Sequence, residues 1–290
     1  MIKIFQVNDT NPDLLPTQLE SFKKHLQEDF EFVVVNGGAL TRDQNMSAEV
    51  TRVCRTLGVQ VIDVQRDDEI EALWRKTINP GEGLFAQNGR FKQGIGGHPF
   101  NYLMQWAWQR VVAKETGLIA FVHTDVFLLE PIKFSDYLVD QPLCFVGQSE
   151  PNTDTPTAER LFHMWEPLLF ADMSKLPDPE QINWFPNRVH GTWMDTGAQT
   201  YFYLKQHPDL KYLDIEQSGC VDDPDVDFHP ARYQFFHPKV NGVFKKVLHY
   251  QSGSKWCTDM PNYWGFTKEQ SDTYHAKKLA WARRMIGLEA

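Results

Sequence analysis

The first 64 residues alternate between short apolar runs and stretches with helical spacing. The apolar runs cover residues 2–7, 32–35 and 59–64, and each is rich in Val, Ile or Phe. Between them, residues 14–26 and 44–57 repeat apolar side chains at the spacing of an amphipathic helix. The pattern therefore predicts β-α-β-α-β. Because the strands are continuous apolar runs, it also predicts a parallel sheet that is buried on both faces.

The remainder of the chain predicts a continuation of this sheet and then a less regular half. Residues 79–99 are rich in Gly, Asn, Gln and Pro, which is typical of a long loop, and long loops at strand ends are often functional. A helical apolar face over 100–112 leads into a strand at 118–122, and further strands are predicted at 143–146 and 244–248. We expect the aromatic and Met stripe of that helix to pack in the core.

The chain divides into a predicted α/β domain at 1–266 and a helical tail at 267–290. The tail carries basic side chains together with apolar ones, namely Lys277, Lys278, Arg283, Arg284, Leu279, Trp281, Met285 and Ile286. Two interpretations stay open: the apolar side packs on the domain, or the helix lies on an acidic membrane surface.

Net charge narrows the classes of ligand. The chain has 29 Lys and Arg against 38 Asp and Glu, which gives a formal net charge of −9. A duplex nucleic-acid binder needs a net basic face, so we expect no nucleic-acid partner. An anionic ligand would need local help from a metal ion or from a few cations aimed at it.

Cysteine usage and the N-terminus bear on the compartment. The four cysteines, Cys54, Cys144, Cys220 and Cys257, form no CxxC pair and no dense framework, so we expect reduced thiols. The chain enters a strand pattern at once, without the features of a secretory leader. It also lacks an apolar stretch near the ~18 residues of a membrane span. We expect a soluble, cytoplasmic protein without a transmembrane segment.

Polar residues follow several of the predicted parallel strands. Asn8 and Asp9 follow the first strand, Asn36 follows the second, and His123-Thr124-Asp125 follows the strand at 118–122. Ligands of open parallel sheets bind beyond the carboxyl ends of the strands. A carboxylate held rigidly there, such as Asp125, is what a hard divalent cation needs. The alternative for each of these residues is a capping or turn role.

These motifs resemble those of the GT-A fold of nucleotide-sugar glycosyltransferases. The resemblance spans residues 1–256 and places His123-x-Asp125 where that family has D-x-D. Met194-Asp195-Thr196-Gly197 is similar to the acidic segment that precedes a helix facing the acceptor. The stretch from His249 through Gly253 to Lys255 is similar to H-x-x-G-x-x-K-P-W, with one residue inserted before the glycine and without the proline. It implies a Rossmann-like, mostly parallel sheet flanked by helices.

The resemblance implies a hexosyltransferase that binds a nucleotide-diphosphate sugar, with UDP-sugars favoured, and a carbohydrate or glycoconjugate acceptor. Asp125 and His249 would hold Mn²⁺ or Mg²⁺, and an imidazole ligand suits Mn²⁺ better. The metal would stabilise the leaving diphosphate, with Lys255 adding positive charge. His123 would ligate the metal, contact the ribose or pack.

The other implied roles concern the nucleotide and the acceptor. Asn8, Asp9 and Asn36 would contact the base and ribose, because amide and carboxylate groups can bind their donor and acceptor edges. Asp195 would be the general base in an inverting enzyme, and would hydrogen-bond the donor sugar in a retaining one. The stereochemical outcome stays open.

One rival class of enzyme would use the candidate metal ligands for a different reaction. His123, Asp125 and His249 also match the two-His-one-carboxylate set of Fe(II)/2-oxoglutarate oxygenases. That class would need a jelly roll, whereas this chain begins with β-α-β-α-β.

Two other classes are considered on different features. A dinucleotide-binding enzyme would need G-x-G-x-x-G after the first strand, which is missing. A non-catalytic sugar-binding module is the third class, favoured by nine Trp and twenty Phe.

Overall fold

Helices and strands alternate along the chain. The computed structural model describes residues 1–8, 11–41, 43–78, 84–85, 91, 98–154, 160–217, 221–222, 232–238, 246–250 and 267–288. The α-helices of these residues are α1 (Leu14–His25), α2 (Gln44–Leu57), α3 (Asp68–Thr77), α4 (His98–Arg110), α5 (Thr200–Gln206) and α6 (Lys268–Ile286). The β-strands are β1 (Ile2–Asn8), β2 (Phe30–Asn36), β3 (Gln60–Asp63), β4 (Leu118–His123), β5 (Val126–Leu128), β6 (Leu143–Glu150), β7 (Leu161–Asp172), β8 (Asn187–Val189), β9 (Thr192–Met194), β10 (Tyr212–Gln217), β11 (Val221–Asp222), β12 (Arg232–Pro238) and β13 (Val247–Tyr250).

Most of these strands form one mixed sheet. Its order is β3-β2-β1-β4-β7-β6-β10-β12-β13-β5, and β11 pairs with β12. From β3 to β10, six strands run in one direction and β7 runs against them. β8 and β9 form a separate antiparallel hairpin. The prediction of a mostly parallel α/β sheet is confirmed.

Apolar side chains cover both faces of this sheet. On one face, α1 and α2 contribute Phe22 and Val50 to a buried cluster. On the other face, α3 and α4 contribute Ile70, Trp74 and Trp108 to a second cluster. Burial from both sides explains why the parallel strands are continuous apolar runs rather than alternating ones.

Local signals place the ends of the first connecting helices. Asp43 caps α2 by accepting a hydrogen bond from the Met46 backbone N–H at 3.0 Å. Gly58 ends the helix at φ +68°, in the left-handed region that favours glycine. The predicted helix over 44–57 is confirmed. The helix α3, which Asp67 caps, was not predicted.

Two cysteines lie in the core as free thiols. Cys54 and Cys144 are buried and unpaired with each other. Burial raises the pKa of the Cys54 thiol to about 11, so it is unreactive at neutral pH. The expectation of reduced thiols agrees with these two residues, and Cys220 and Cys257 lie outside the described residues.

The C-terminal helix α6 packs on the domain. Ala282 and Ile286 are buried against Leu14 and Tyr250. Lys278 is also buried, with its Nζ 4.2 Å from the centroid of the Tyr250 ring. Packing on the domain is therefore observed, while contact of the exposed basic side chains with a membrane and the boundary after residue 266 stay predictions. Among the described helices, none is long and apolar enough to cross a membrane.

Candidate metal centre

The carboxyl ends of the parallel strands meet at one edge of the sheet. In the register of β1, Asn8 lies beside Asn36 of β2, and Val7 lies beside His123 of β4. Three of the predicted strand-end residues, Asn8, Asn36 and His123, therefore share this edge. Asp9 and Lys255 lie outside the residues that the structure describes.

A tight turn and a strand pairing bring Asp125 next to His249. The chain leaves β4 at His123, turns at residues 124–125 and enters β5, which pairs antiparallel with β13. In this register His249 lies opposite Val126, and the Tyr250 backbone N–H donates to the Asp125 carbonyl at 2.8 Å. Residues far apart in sequence thus meet through backbone pairing.

The three side chains form a compact, largely buried cluster. His123 Nδ1 lies 2.6 Å from Asp125 Oδ1, and His249 Nε2 lies 3.5 Å from the same oxygen. One possible ligand atom from each residue lies within 4.8 Å of the other two. The Asp125 side chain is 1% exposed and that of His249 is 5% exposed. The predicted pair, with His123 as a third member, is therefore close enough to share one cation.

Charge and ring packing fix this cluster. Burial opposes ionisation of Asp125, but the His123 and His249 imidazoles outweigh it and hold the pKa of that carboxyl well below its usual range. The Phe100 ring packs edge-on against His123, with centroids 4.7 Å apart. Trp165 packs in the same way against His249 at 5.3 Å. Both imidazoles are therefore held in place by rings as well as by the carboxylate.

Two buried glutamines stabilise the turn at residues 124–125 by hydrogen bonds. Gln18 of α1 donates from Nε2 to the carbonyl oxygens of His123 and Val126, at 2.6 and 2.8 Å. Its Oε1 accepts from Gln6 Nε2 of β1 at 2.5 Å. These contacts hold the backbone that carries Asp125. The sequence analysis did not identify either glutamine, because each lies inside an apolar segment and carries no motif.

Asn8 and Asn36 make contacts within the chain. Asn8 accepts from the Asn11 backbone N–H at 2.8 Å and donates to the Asn11 carbonyl at 3.0 Å, which shapes the loop after β1. Asn36 Nδ2 lies 3.0 Å from both Ser47 Oγ and Asp63 Oδ1. Its Oδ1 is buried without a hydrogen-bond partner among the described residues. Asn36 therefore retains an acceptor atom, and contact of either residue with a nucleotide stays a prediction.

Asp195 is exposed directly after β9, and the loop residues that follow it are buried and hydrogen-bonded to their surroundings. Its Oδ1 accepts from the Thr196 backbone N–H at 2.8 Å. Thr196 Oγ1 donates to Asn101 of α4 at 2.6 Å, and Thr200 Oγ1 accepts from the Met164 backbone N–H at 2.8 Å. The loop is thus tied to both α4 and β7.

Gly197 is required for this arrangement. It adopts φ +92°, and a Cβ at this position would overlap the carbonyl oxygen of Met164. We expect Gly197→Ala to lower the free energy of unfolding by about 3 kcal/mol or more, from strain and from the clash. The matched variant Gly58→Ala has φ +68° but nothing within 4 Å. It should cost about 1–2 kcal/mol, from the left-handed backbone conformation alone. Urea unfolding measures both, and equal losses would contradict the described packing.

Two unpredicted residues of β7 lie near Asp195. Burial lowers the pKa of His163 to about 4, and burial raises the pKa of Glu166 to about 8; the charge of Asp195 acts on both side chains. The sequence analysis assigned no strand to this segment. Pro167 and a mixture of aromatic and polar side chains hid the pattern of alternation.

Comparisons with known proteins give structural likeness only. No protein-family model matches the chain, and no curated protein matches it. The galactosyltransferase LgtC, solved with donor and acceptor sugar analogs, is 11% identical, with 95% of each chain covered and a TM-score of 0.48. An active-site mutant of LgtC is 12% identical, with the same coverage and TM-score. The Pyrobaculum calidifontis mannosyltransferase PcManGT, solved with GDP-Man and Mn²⁺, is 11% identical, with 59% of this chain and 44% of that chain covered and a TM-score of 0.31.

These similar structures are glycosyltransferases. At identities of 11–12%, these structures do not establish an activity for this chain.

Proposed function

We propose that the protein is a metal-dependent glycosyltransferase that moves a hexose-type sugar from a nucleotide-diphosphate donor to a hydroxyl group. A UDP-sugar is the favoured donor, and a carbohydrate or glycoconjugate is the proposed acceptor. The observation that carries the proposal is the cluster of His123, Asp125 and His249 at the carboxyl edge of a parallel sheet. This edge is where such sheets bind their ligands.

The chemistry of the cluster fits a divalent transition metal. It offers one buried carboxylate and two imidazoles whose ligand atoms lie within 4.8 Å of one another. Nitrogen ligands favour Mn²⁺ over Mg²⁺, which prefers an all-oxygen shell. We assign Asp125 and His249 as ligands. His123 Nδ1 lies 2.6 Å from Asp125 Oδ1, so His123 either is a third metal ligand or orients the Asp125 carboxylate by a hydrogen bond.

The donor diphosphate explains why the chain needs this metal. The formal net charge is −9, so two phosphate groups would be repelled without a local cation. A unit charge pair at ~4 Å is worth roughly 4 kcal/mol at an effective dielectric of 20. A bound divalent ion would supply charge stabilisation of the leaving diphosphate. We propose that Lys255 adds to it and that Asn8, Asp9 and Asn36 contact the base and ribose.

Asp195 is the proposed residue on the acceptor side. Its carboxylate is exposed on a loop that hydrogen bonds tie to α4 and β7. In an inverting enzyme it would take the proton of the acceptor hydroxyl, and in a retaining enzyme it would hydrogen-bond the donor sugar. Because the loop is fastened on two sides, either role has a fixed geometry.

The oxygenase alternative shares the ligand set but not the fold. Two histidines and one carboxylate are what Fe(II) oxygenases use. The sheet that carries them here has parallel strands connected by helices on both faces, whereas that chemistry was expected in a jelly roll. The fold therefore favours the transferase, and a stability measurement separates the two.

Thermal unfolding should respond to the transferase ligands. A ligand at 100 times its Kd stabilises the folded state by about 2.7 kcal/mol, so UDP with Mn²⁺ should raise the Tm by about 5 °C or more. Adding 2-oxoglutarate to the Fe²⁺-loaded protein under anaerobic conditions should leave the Tm unchanged, because the proposed function gives that acid no site. The reverse pattern would support the oxygenase. A response to free sugars that is the same with and without Mn²⁺ would support a sugar-binding module.

A further inference from the structure

A carboxyl group on β7 has no role in the function proposed above. The pairing of β7 with β6 shifts between two neighbouring residues of β6: Phe145 lies opposite Leu169, and Val146 lies opposite Trp165. Glu166 therefore lies in a bulge that has no counterpart on β6. Bulges re-aim side chains and are frequent beside active sites.

The pairing on the other side of β7 places Glu166 beside the metal centre. Leu168 lies opposite Val122, the residue before His123 on β4. Since the two strands are antiparallel, the chain of β7 before Leu168 runs past the carboxyl end of β4. Glu166 thus reaches the turn that carries His123 and Asp125.

The Glu166 residue is half-buried, but one oxygen of its carboxyl group, Oε2, is fully buried. Its Oε2 has no hydrogen-bond partner within the part of the chain that the structure describes. Leaving a buried polar atom unsatisfied costs about 1–3 kcal/mol, so such an atom needs an explanation. The hydroxyl of Thr124, in the turn after β4, is also buried without a hydrogen-bond partner among the described residues. A polar ligand at this edge would remove the penalty.

Charges around Glu166 locate the ligand further. The charges of His123, Asp195 and Asp125 all act on the carboxyl group, so it lies close to both the metal centre and Asp195. In a transfer reaction the sugar lies between the diphosphate and the acceptor. A residue close to the groups proposed for both partners is therefore placed within reach of the transferred sugar.

We propose that Glu166 binds a hydroxyl group of the transferred sugar and selects the donor by that contact. This inference rests on the proposed function. The contact is available in either protonation state, because an ionised carboxylate accepts from a hydroxyl and a neutral one both donates and accepts. A buried site built to hydrogen-bond a hydroxyl discriminates strongly against a ligand that lacks it.

Calorimetry with Mn²⁺ tests this contact by comparing the nucleoside diphosphate with its sugar conjugates. The probes are UDP and GDP, and UDP-glucose, UDP-galactose, UDP-N-acetylglucosamine and GDP-mannose. For the donor that the wild type binds, Glu166→Ala should raise the Kd tenfold or more and leave the Kd of the parent diphosphate within twofold. Glu166→Gln keeps the shape and hydrogen bonding, so it should recover most of the affinity. The matched control is Glu31→Ala, because Glu31 lies near the amino end of β2, away from the carboxyl ends of the strands where the site lies. It should change neither Kd.

Two results would overturn the inference while leaving the proposed function intact. One is an unchanged donor Kd in Glu166→Ala, and the other is an equal loss for the donor and its parent diphosphate. A wild-type protein that binds none of these nucleotides with Mn²⁺ would overturn both the proposed function and the inference. Circular dichroism melting of each variant checks that the comparison is made on folded protein.

Discussion

Asp125→Asn should weaken Mn²⁺ binding by about a thousandfold while the protein stays folded. The variant keeps the shape of the side chain and removes its charge, which is worth roughly 4 kcal/mol against one unit charge at ~4 Å. At 1.4 kcal/mol per tenfold change, this corresponds to about three orders of magnitude. Asp125 is the one member of the cluster that both imidazoles approach, so its loss removes the centre of the site.

Electron paramagnetic resonance of free Mn²⁺ measures this affinity directly. Asp140→Asn changes an exposed carboxylate away from the cluster and is the matched control. It should bind Mn²⁺ as the wild type does. If Asp125→Asn binds Mn²⁺ within threefold of the wild type, Asp125 is not a ligand and the proposed metal centre is wrong.

Asp195→Asn should lower the rate of sugar transfer at least tenfold and leave the metal-dependent binding of the parent nucleoside diphosphate, which lacks the sugar, within twofold. Loss of a general base typically costs 10²–10⁴ in rate, whereas loss of a charged hydrogen bond to the donor costs less. The size of the loss therefore separates the two roles. The loop itself should persist, because Asn retains an oxygen that can accept from the Thr196 N–H.

Transfer to the acceptor and hydrolysis of the donor should be measured side by side. Loss of transfer with retained hydrolysis places Asp195 on the acceptor, and loss of both places it on the donor sugar. Asp209→Asn, an exposed change in the turn after α5, is the control. Unchanged transfer in Asp195→Asn removes this residue from the mechanism.

The parallel half of the fold was predictable because strands that are buried on both faces are continuous apolar runs in the sequence. Runs such as Val33–Val35 are apolar at every position, and the helix over 44–57 is apolar along one side. The strand β7 was missed for the opposite reason. β7 pairs with β4 only from Leu168 to Asp172 and with β6 along most of its length. A bulge that includes Pro167 interrupts the alternation of its side chains.

The sequence identified Asp125 and His249 as candidate metal ligands from their motifs, but it did not show that the two side chains are close in space. What joins them is the antiparallel pairing of β5 with β13, which two short apolar segments do not specify in a single sequence. The Gln6–Gln18 contact that supports the turn is less predictable still, because it depends on how α1 lies against β1. Glu166 became visible only through its burial and its unsatisfied oxygen.

The proposed function requires that a cation at His123, Asp125 and His249 binds a nucleoside diphosphate to this protein. Isothermal titration calorimetry of the wild type with UDP, and separately with GDP, in Mn²⁺ and in EDTA tests it most directly. We expect at least one nucleotide to bind at least a hundredfold more tightly in Mn²⁺. Equal affinity in the two buffers for both nucleotides, or no binding of either, would contradict it.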